Sequence, residues 1–412
     1  MPAVCLYFQV HQPYRLRRYS YFDIGERHDY FDEELNKAIL RRVAERCYIP
    51  ANKVLLEAIR QSKGAFKVAF SITGTAIEQM RAYAPEALES FQELAQTGCV
   101  EFLGETYYHS LSSLYDFREW AAQISMHSDL MEREFGVRPT VFRNTELLYS
   151  DDIGAAIGEL GFKAVLAEGV DDVLGWRSPN FMYRVPNANT KLLLKNYKLS
   201  DDIAFRFTNG GGSLSPTTYA SWIHELSGNA DIVGLFLDYE TFGEHHREES
   251  GILAFLKKLP EAILSNQEWR FSTPTEAAER LSAVGELSFS RLTSWADTRR
   301  DESAWLGNEM QRKSLGRIYD AATLFHGRYI QDEAMTAARE TWRRLQTSDH
   351  YYYMCTKGYG DGIVHQYFSP FESPYDAFIA YSNVVKDFAA ECARAPKTPT
   401  LRVLAEGPRV QP

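Results

Sequence analysis

Four short apolar runs in this chain end in a burst of polar and ionisable residues. Asp231–Leu237 (DIVGLFL) runs into Asp238-Tyr239-Glu240-Thr241-Phe242-Gly243-Glu244-His245. Val10 leads into His11-Gln12-Pro13, Leu103 into Gly104-Glu105-Thr106-Tyr107-Tyr108-His109, and Phe142 into Arg143-Asn144-Thr145-Glu146. Two carboxylates from different runs, Glu146 and Asp238, point to glycoside chemistry. A retaining glycosidase keeps one carboxyl ionised as nucleophile and another, about 5–5.5 Å away, protonated as acid/base. The acid's pKa must rise for that, and a nearby like charge raises it. Glu240, two residues beyond Asp238, is a candidate for that charge, and Arg143, three before Glu146, for holding a nucleophile ionised. Each carboxylate also has a plainer reading. Asp238 can cap a turn in which Gly243 takes a positive φ, and Glu146 can sit in a helix's first turn capped by Asn144 or Thr145.

The elements that must position these residues alternate in type. Val4–Val10, Lys67–Ile72, Cys99–Leu103, Thr140–Arg143, Lys163–Ala167, Lys191–Lys195, Asp231–Leu237 and Trp269–Ser272 read as strands. Between them, Leu35/Ile39/Val43, Val54/Leu55/Ala58/Ile59, Leu88/Phe91/Leu94 and Trp120/Ile124/Met131/Phe135 fall at helical spacing. Thr273-Pro274-Thr275-Glu276 opens a further helix, with Pro in the first turn. Strand and helix alternating without hairpin signals predict a parallel sheet, closed or nearly closed as a β/α barrel, with an open doubly wound sheet as the other solution. In such a barrel the carboxyl ends of all strands share one face, so the four polar bursts converge. After Gly285 strands give way to helical stripes: Leu315/Ile318/Ala322/Phe325, Met335/Ala338/Trp342/Leu345 and Phe378/Tyr381/Val385/Phe388. The division expected is a catalytic barrel over 1–285, an α-helical bundle over 286–395 that contributes to the substrate site, and a tail over 396–412. Gly210-Gly211-Gly212 reads as a flexible connector.

Composition excludes several classes. The 412 residues are 45% hydrophobic and 24% charged with net charge −10, and no basic patch offers a nucleic-acid footprint. No GxGxxG or Walker A pattern occurs. Cys5, Cys47, Cys99, Cys355 and Cys392 never pair as CxxC and read as reduced, mostly buried thiols without a zinc site. Neither a signal-peptide pattern nor an apolar run of membrane-spanning length is visible, so a cytoplasmic protein without membrane partners is expected.

Five stretches, His11-Gln12-Pro13, Gly104–Leu111 (GETYYHSL), Phe142–Tyr149 (FRNTELLY), Asp238–His245 (DYETFGEH) and Ser348–Tyr353 (SDHYYY), follow one another in an order that resembles glycoside hydrolase family 57. The resemblance is to its short α-amylase-type branch and spans nearly the whole chain. It implies an incomplete, seven-stranded parallel β/α barrel followed by a C-terminal α-helical bundle. It also implies retaining cleavage of α-1,4 bonds in an α-glucan or maltooligosaccharide, without metal or cofactor. Glu146 then matches the nucleophile and Asp238 the general acid/base. His11 and Glu240 match positions near the sugar in the cleavage subsite, and His109, Asp349 and Tyr352 positions lining the sugar site. Gln9 stands where several relatives carry His, His109 where some carry Glu, and Tyr352 where a Trp platform is common; these departures bear on substrate choice. Trp295 is either a stacking platform over the site or a core residue between barrel and bundle, and Glu105 either lines the site or buttresses the barrel through backbone.

Other readings use the same residues. A 4-α-glucanotransferase would need the same two carboxylates. A metal-dependent hydrolase of the polysaccharide deacetylase kind would draw ligands from His11, Asp238, His245 and His246, although their spacing matches no closed zinc motif. A non-catalytic glucan-binding protein would need only the aromatics, with the carboxylates as acceptors.

Overall fold

The computed structural model describes residues 1–208, 212–324, 333–357 and 367–394. Gly210, Gly211, Phe325, the side chain of Met335 and the tail lie outside the described residues. The strands are β1 (Ala3–Val10), β2 (Val68–Ile72), β3 (Val100–Phe102), β4 (Val141–Arg143), β5 (Ala164–Glu168), β6 (Tyr183–Arg184), β7 (Lys191–Lys195), β8 (Ile232–Asp238) and β9 (Arg270–Phe271). Seven of them run parallel in the order β3-β2-β1-β8-β7-β5-β4. The two ends of that order meet at Gly104, whose N–H donates to Val141 O and whose carbonyl accepts from Arg143 N–H. A seven-stranded β/α barrel results, in which β7 and β8 are joined through the one register pair Lys195 and Gly234. The absence of hairpins was a wrong expectation: β6 returns antiparallel on β7. At two residues, β6 is too short to show a period of its own.

Side-chain alternation along the strands sorts the core. Cys5, Tyr7, Ala69, Leu103, Val141, Leu166, Leu193, Ile232 and Phe236 pack together as the lumen. Their neighbours of opposite parity, such as Val4, Leu6, Phe8, Phe70, Leu235 and Leu237, pack outward on the helices. At the carboxyl edge the lumen series changes character. Continuing each strand's inward parity gives Gln9, Ser71, Glu105, Arg143, Glu168, Lys195 and Asp238, all buried except Asp238, which is half-buried. Register sets several of them level: Gln9 lies opposite both Ser71 and Asp238, and Lys195 opposite Glu168. The apolar lumen is therefore closed by a polar ring in which carboxylates and cations alternate over much of the circuit.

Two helices reach that ring from behind. Glu33–Val43 continues through a π-helical turn, Ala44–Tyr48, into Ile49–Gln61. Gly243, at φ 127°, lies where a Cβ would come 1.9 Å from Arg46 O, so only glycine lets the β8 loop settle on that turn. The helix Pro274–Arg280 starts as expected, with Thr273 and Glu276 forming a reciprocal cap. Past β9 the described residues contain no strand. The helices Ser303–Leu306, Glu309–Asp320, Glu333–Arg344, Ser348–Tyr352 and Pro374–Arg394 share a core with Leu16, Tyr19, Leu111 and Leu148. Those partners come from the loops after β1, β3 and β4, so the helical part packs on the ring's side of the barrel. All five cysteines are buried. Among the described residues no helix is long and apolar enough to cross a membrane.

Candidate active site

Glu146 stands three residues past β4, in a short turn where it takes φ 57° and Leu147 takes φ 51°. Left-handed backbone is unusual for residues with a Cβ and is retained where surroundings over-determine it. The first-turn reading of Glu146 is thereby removed, since its φ/ψ is not that of a right-handed helix and Asn144 makes no side-chain cap. Three donors surround the carboxylate. His109 Nε2 lies 3.1 Å and Ser348 Oγ 3.3 Å from Oε1, while Trp295 Nε1 donates to Oε2 at 2.8 Å. The Trp295 backbone N–H also reaches Glu146 O. Burial alone would raise the Glu146 pKa, but His109, Arg143 and Trp295 outweigh it and hold the group below its ordinary value.

His109 is itself gripped from behind. Its Nδ1 lies 3.2 Å from Glu105 Oε2, so both ring nitrogens face carboxylates. Burial works against a charge on this ring, yet the hydrogen bonds to Glu105 and Glu146 raise its pKa to about 9. Glu105 accepts from Gln9 Nε2 at 3.2 Å, and Gln9 Oε1 accepts from Tyr7 and Ser71 hydroxyls. Gln9 and Glu105 therefore lie beneath the site in one hydrogen-bonded line from the lumen to Glu146. His11 stacks on His109 with centroids 4.0 Å apart. Burial, then the charge of His109, lowers its pKa. His11 Nε2 lies 2.9 Å from Asp349 Oδ2 and its Nδ1 3.0 Å from Thr73 Oγ1. Burial disfavours charge on Asp349, but His11 more than compensates and keeps it ionised.

Asp238 is the last residue of β8 and makes no side-chain cap to the following turn. Its pKa is raised to about 6, first by burial and then by the charge of Glu146, against opposing pulls from Arg143, Lys195 and His109. The expectation that Glu240 supplies this shift is corrected. The 3-10 turn Tyr239–Thr241 carries Glu240 to Tyr48 OH (2.5 Å) and Gln12 Nε2 (3.4 Å), where it is buried. There burial, and then Asp238, raise Glu240 to about 8. Arg143 is fully buried with three guanidinium nitrogens that have no hydrogen-bond partner among the described residues, and lies 4.8 Å from the Trp295 ring centroid. Trp295 is thus neither a plain core residue nor a free platform: its N–H is committed to Glu146. Tyr352, on the same short helix as Asp349, stacks on Trp305.

The four ligands of the metal reading are not gathered. His11 is taken by Thr73 and Asp349, and His246 Nε2 by Ala204 O. Among the described residues the grouping with metal-like spacing is His28, Asp387 and Glu391, which includes none of these four. Tyr48, Glu168 and Lys195 are not singled out by the sequence. Ser348 lies in the SDHYYY stretch without a role of its own, and Arg300 lies in the charge run Asp297–Glu302, which reads most simply as a solvated helix start but in which Arg300 pairs with Glu168. Glu168 and Lys195 end β5 and β7 as Asp238 ends β8, so the rule that found Asp238 would have found them too.

The family model for glycosyl hydrolase family 57 matches residues 5–290. A protein of Methanocaldococcus jannaschii named "Putative alpha-amylase" is 40% identical over 400 residues, covering 92% of this chain and 83% of its own. Among solved structures, a branching enzyme of Thermococcus kodakaraensis superposes with TM-score 0.68 at 15% identity, covering 95% of this chain and 91% of that one. A 4-alpha-glucanotransferase of Thermococcus litoralis superposes with TM-score 0.65 at 16% identity over 94% of this chain, which spans 59% of that enzyme.

Proposed function

This chain belongs to glycosyl hydrolase family 57, and from that premise we propose that it cleaves α-1,4 bonds of α-glucans with retention of configuration. Glu146 serves as nucleophile and Asp238 as general acid/base. In the first step Asp238 passes its proton to the glycosidic oxygen as the bond to the anomeric carbon breaks and a Glu146 oxygen attacks that carbon. In the second, Asp238 takes a proton from water, whose oxygen displaces Glu146 and regenerates both groups. His109, Ser348 and Trp295 steady the Glu146 carboxylate before attack and after release, and the buried guanidinium of Arg143 adds its charge to favour the ionised form. The helical part, 286–395, supplies Trp295, Ser348 and Asp349 to a barrel that ends near 285.

One observation carries this reading: the two carboxyls sit in one site with their ionisation driven apart. Glu146 is held below the ordinary carboxylate value, and Asp238 is pushed up to about 6. The test is to incubate the protein with a series of maltooligosaccharides in the presence of EDTA and separate the products. Shorter sugars from wild type, lost in both Glu146→Gln and Asp238→Asn, support hydrolysis. Longer sugars beside the shorter ones turn the assignment to a glucanotransferase on the same carboxylates. No products with or without added divalent metal would end the α-glucan assignment.

A further inference from the structure

Four charged side chains that the mechanism leaves unused cluster where the ring passes β5 and β7. Lys195 Nζ lies 3.4 Å from Glu168 Oε2 and 3.3 Å from Asp201 Oδ1. Arg300 closes the group from outside the barrel, Nη1 2.8 Å from Glu168 Oε2 and Nη2 3.4 Å from Asp201 Oδ2. Arg300 also lies 4.0 Å from the Tyr197 ring centroid and holds φ 50°. Glu168 is fully buried, Lys195 is buried and Asp201 and Arg300 are half-buried, so removing one partner strands charge on Glu168 in a low-dielectric place.

Arg300 belongs to the same loop as Trp295, and the loop is fastened at two ends. At one end Thr293 and Tyr149 exchange both backbone hydrogen bonds. At the other the Arg300 backbone is tied back beside the tryptophan: Ser294 N–H donates to Arg300 O, and Ser294 Oγ to Asp301 O. Arg291, bidentate on Asp172, also donates to Arg300 O. Between these ends the Trp295 ring lies with Arg143 at 4.8 Å and Lys195 at 5.4 Å from its centroid, and its N–H points at Glu146. Glu168 is shared by Arg300 and Lys195, so releasing Arg300 removes the side-chain anchor of the loop on the barrel and unbalances the cation next to the ring at once.

We infer that Arg300 is a positioning residue for the reaction: docked on Glu168 and Asp201, it locks loop 291–303 onto the barrel mouth and so holds the Trp295 N–H on Glu146. The inference rests on the reading of Glu146 as nucleophile. An ion-pair cluster without this role would affect stability alone. A positioning role makes Arg300 act through Trp295, and the groups facing Glu146, namely His109, Arg143, Asp238, Ser348 and Trp295, then lose one donor when Arg300 goes.

The experiment compares Arg300→Met, Arg300→Lys and Trp295→Phe with the double variant Arg300→Met/Trp295→Phe, with Glu168→Gln breaking the same contact from the other side should Arg300→Met not fold. In Arg300→Met, kcat on a maltooligosaccharide should fall on the order of 10–100-fold with little change in KM. The acid limb of the pH–rate profile should move to higher pH, since Glu146 loses a donor, and Arg300→Lys should recover part of both effects. In the Trp295→Phe background Arg300→Met should add little. Two readings need no substrate: amide exchange over 291–303 should quicken, and the pH titration of the Trp295 indole N–H resonance, which follows Glu146 in wild type, should lose amplitude as the N–H leaves the carboxylate. Faster exchange or a lower Tm with unchanged kcat, acid limb and indole titration would overturn the inference, as would an undiminished Arg300→Met effect without Trp295. A wild type inert on α-glucans would sink the substrate reading while leaving the exchange and indole tests to decide on Arg300.

Discussion

Glu146 and Asp238 are the same chemical group at the mouth of the same barrel, and their surroundings are opposite. Around Glu146, three neutral or cationic donors from three separate stretches of chain converge. Asp238 has no side-chain hydrogen bond among the described residues and feels chiefly burial and the charge of Glu146. Donors stabilise an ionised carboxylate, whereas burial beside another negative charge stabilises a protonated one. The pair shows that a barrel edge assigns acid and base through what the neighbouring loops bring, since strand position alone is nearly equivalent for the two.

Removing each carboxylate tests this contrast most severely. Glu146→Gln should abolish turnover by on the order of 10⁴-fold or more on any substrate, because no covalent intermediate can form. Asp238→Asn should cost roughly 10²–10⁴-fold on maltooligosaccharides and far less on a nitrophenyl maltoside, whose leaving group needs no proton. Equal losses on both substrates in both variants would erase the proposed division of labour. His109→Gln strikes the Glu146 side alone. It should lower kcat roughly 10–100-fold and move the acid limb upward. His109 is raised from 6.5 to about 9 in the fold, so the stability it contributes is full below pH 6.5 and lost as pH rises through 9. The Tm deficit of His109→Gln should therefore be largest at pH 6 and shrink toward pH 9.5.

Smaller effects belong to the Asp238 side. Activity should decline above about pH 6 as Asp238 loses its proton. Lys195→Met removes a cation that favours ionised Asp238, so that alkaline limb should move to higher pH; a downward move would contradict the assignment. The smallest expected change is in Glu240→Gln. With Glu240 raised to about 8 by burial and Asp238, the carboxyl is already neutral at pH 5–7, and kcat/KM there should stay within about twofold of wild type. A large loss, or a shifted alkaline limb, would restore Glu240 as the charge that tunes Asp238.

How much of this is legible in the sequence differs from residue to residue. The strands of the barrel were readable to within one or two residues because each is a short apolar run bounded by polar signals, and the cap at Thr273–Glu276 was readable because it is local. Asp238 stood out for the same reason, as an ionisable residue ending a buried run. The two-residue β6 carries no periodicity, and the spacing of Glu240 from Asp238 does not show that a 3-10 turn begins between them. Ser348 lay within a stretch that resembled the family, but nothing local said that its hydroxyl meets a carboxylate 202 residues earlier.

The sequence by itself determined the alternation that makes a parallel barrel, the inward parity that places polar residues at its carboxyl edge, and the family. Only the tertiary structure decided who holds whom. The His11–Asp349 pair spans 338 residues and the Trp295–Glu146 bond 149. Hydrophobic periodicity is written within a dozen residues, because it reflects which face of one element leaves water. Hydrogen bonds across the mouth depend on where the helical part docks on the barrel, a property of the assembled surfaces that no local window of the chain contains.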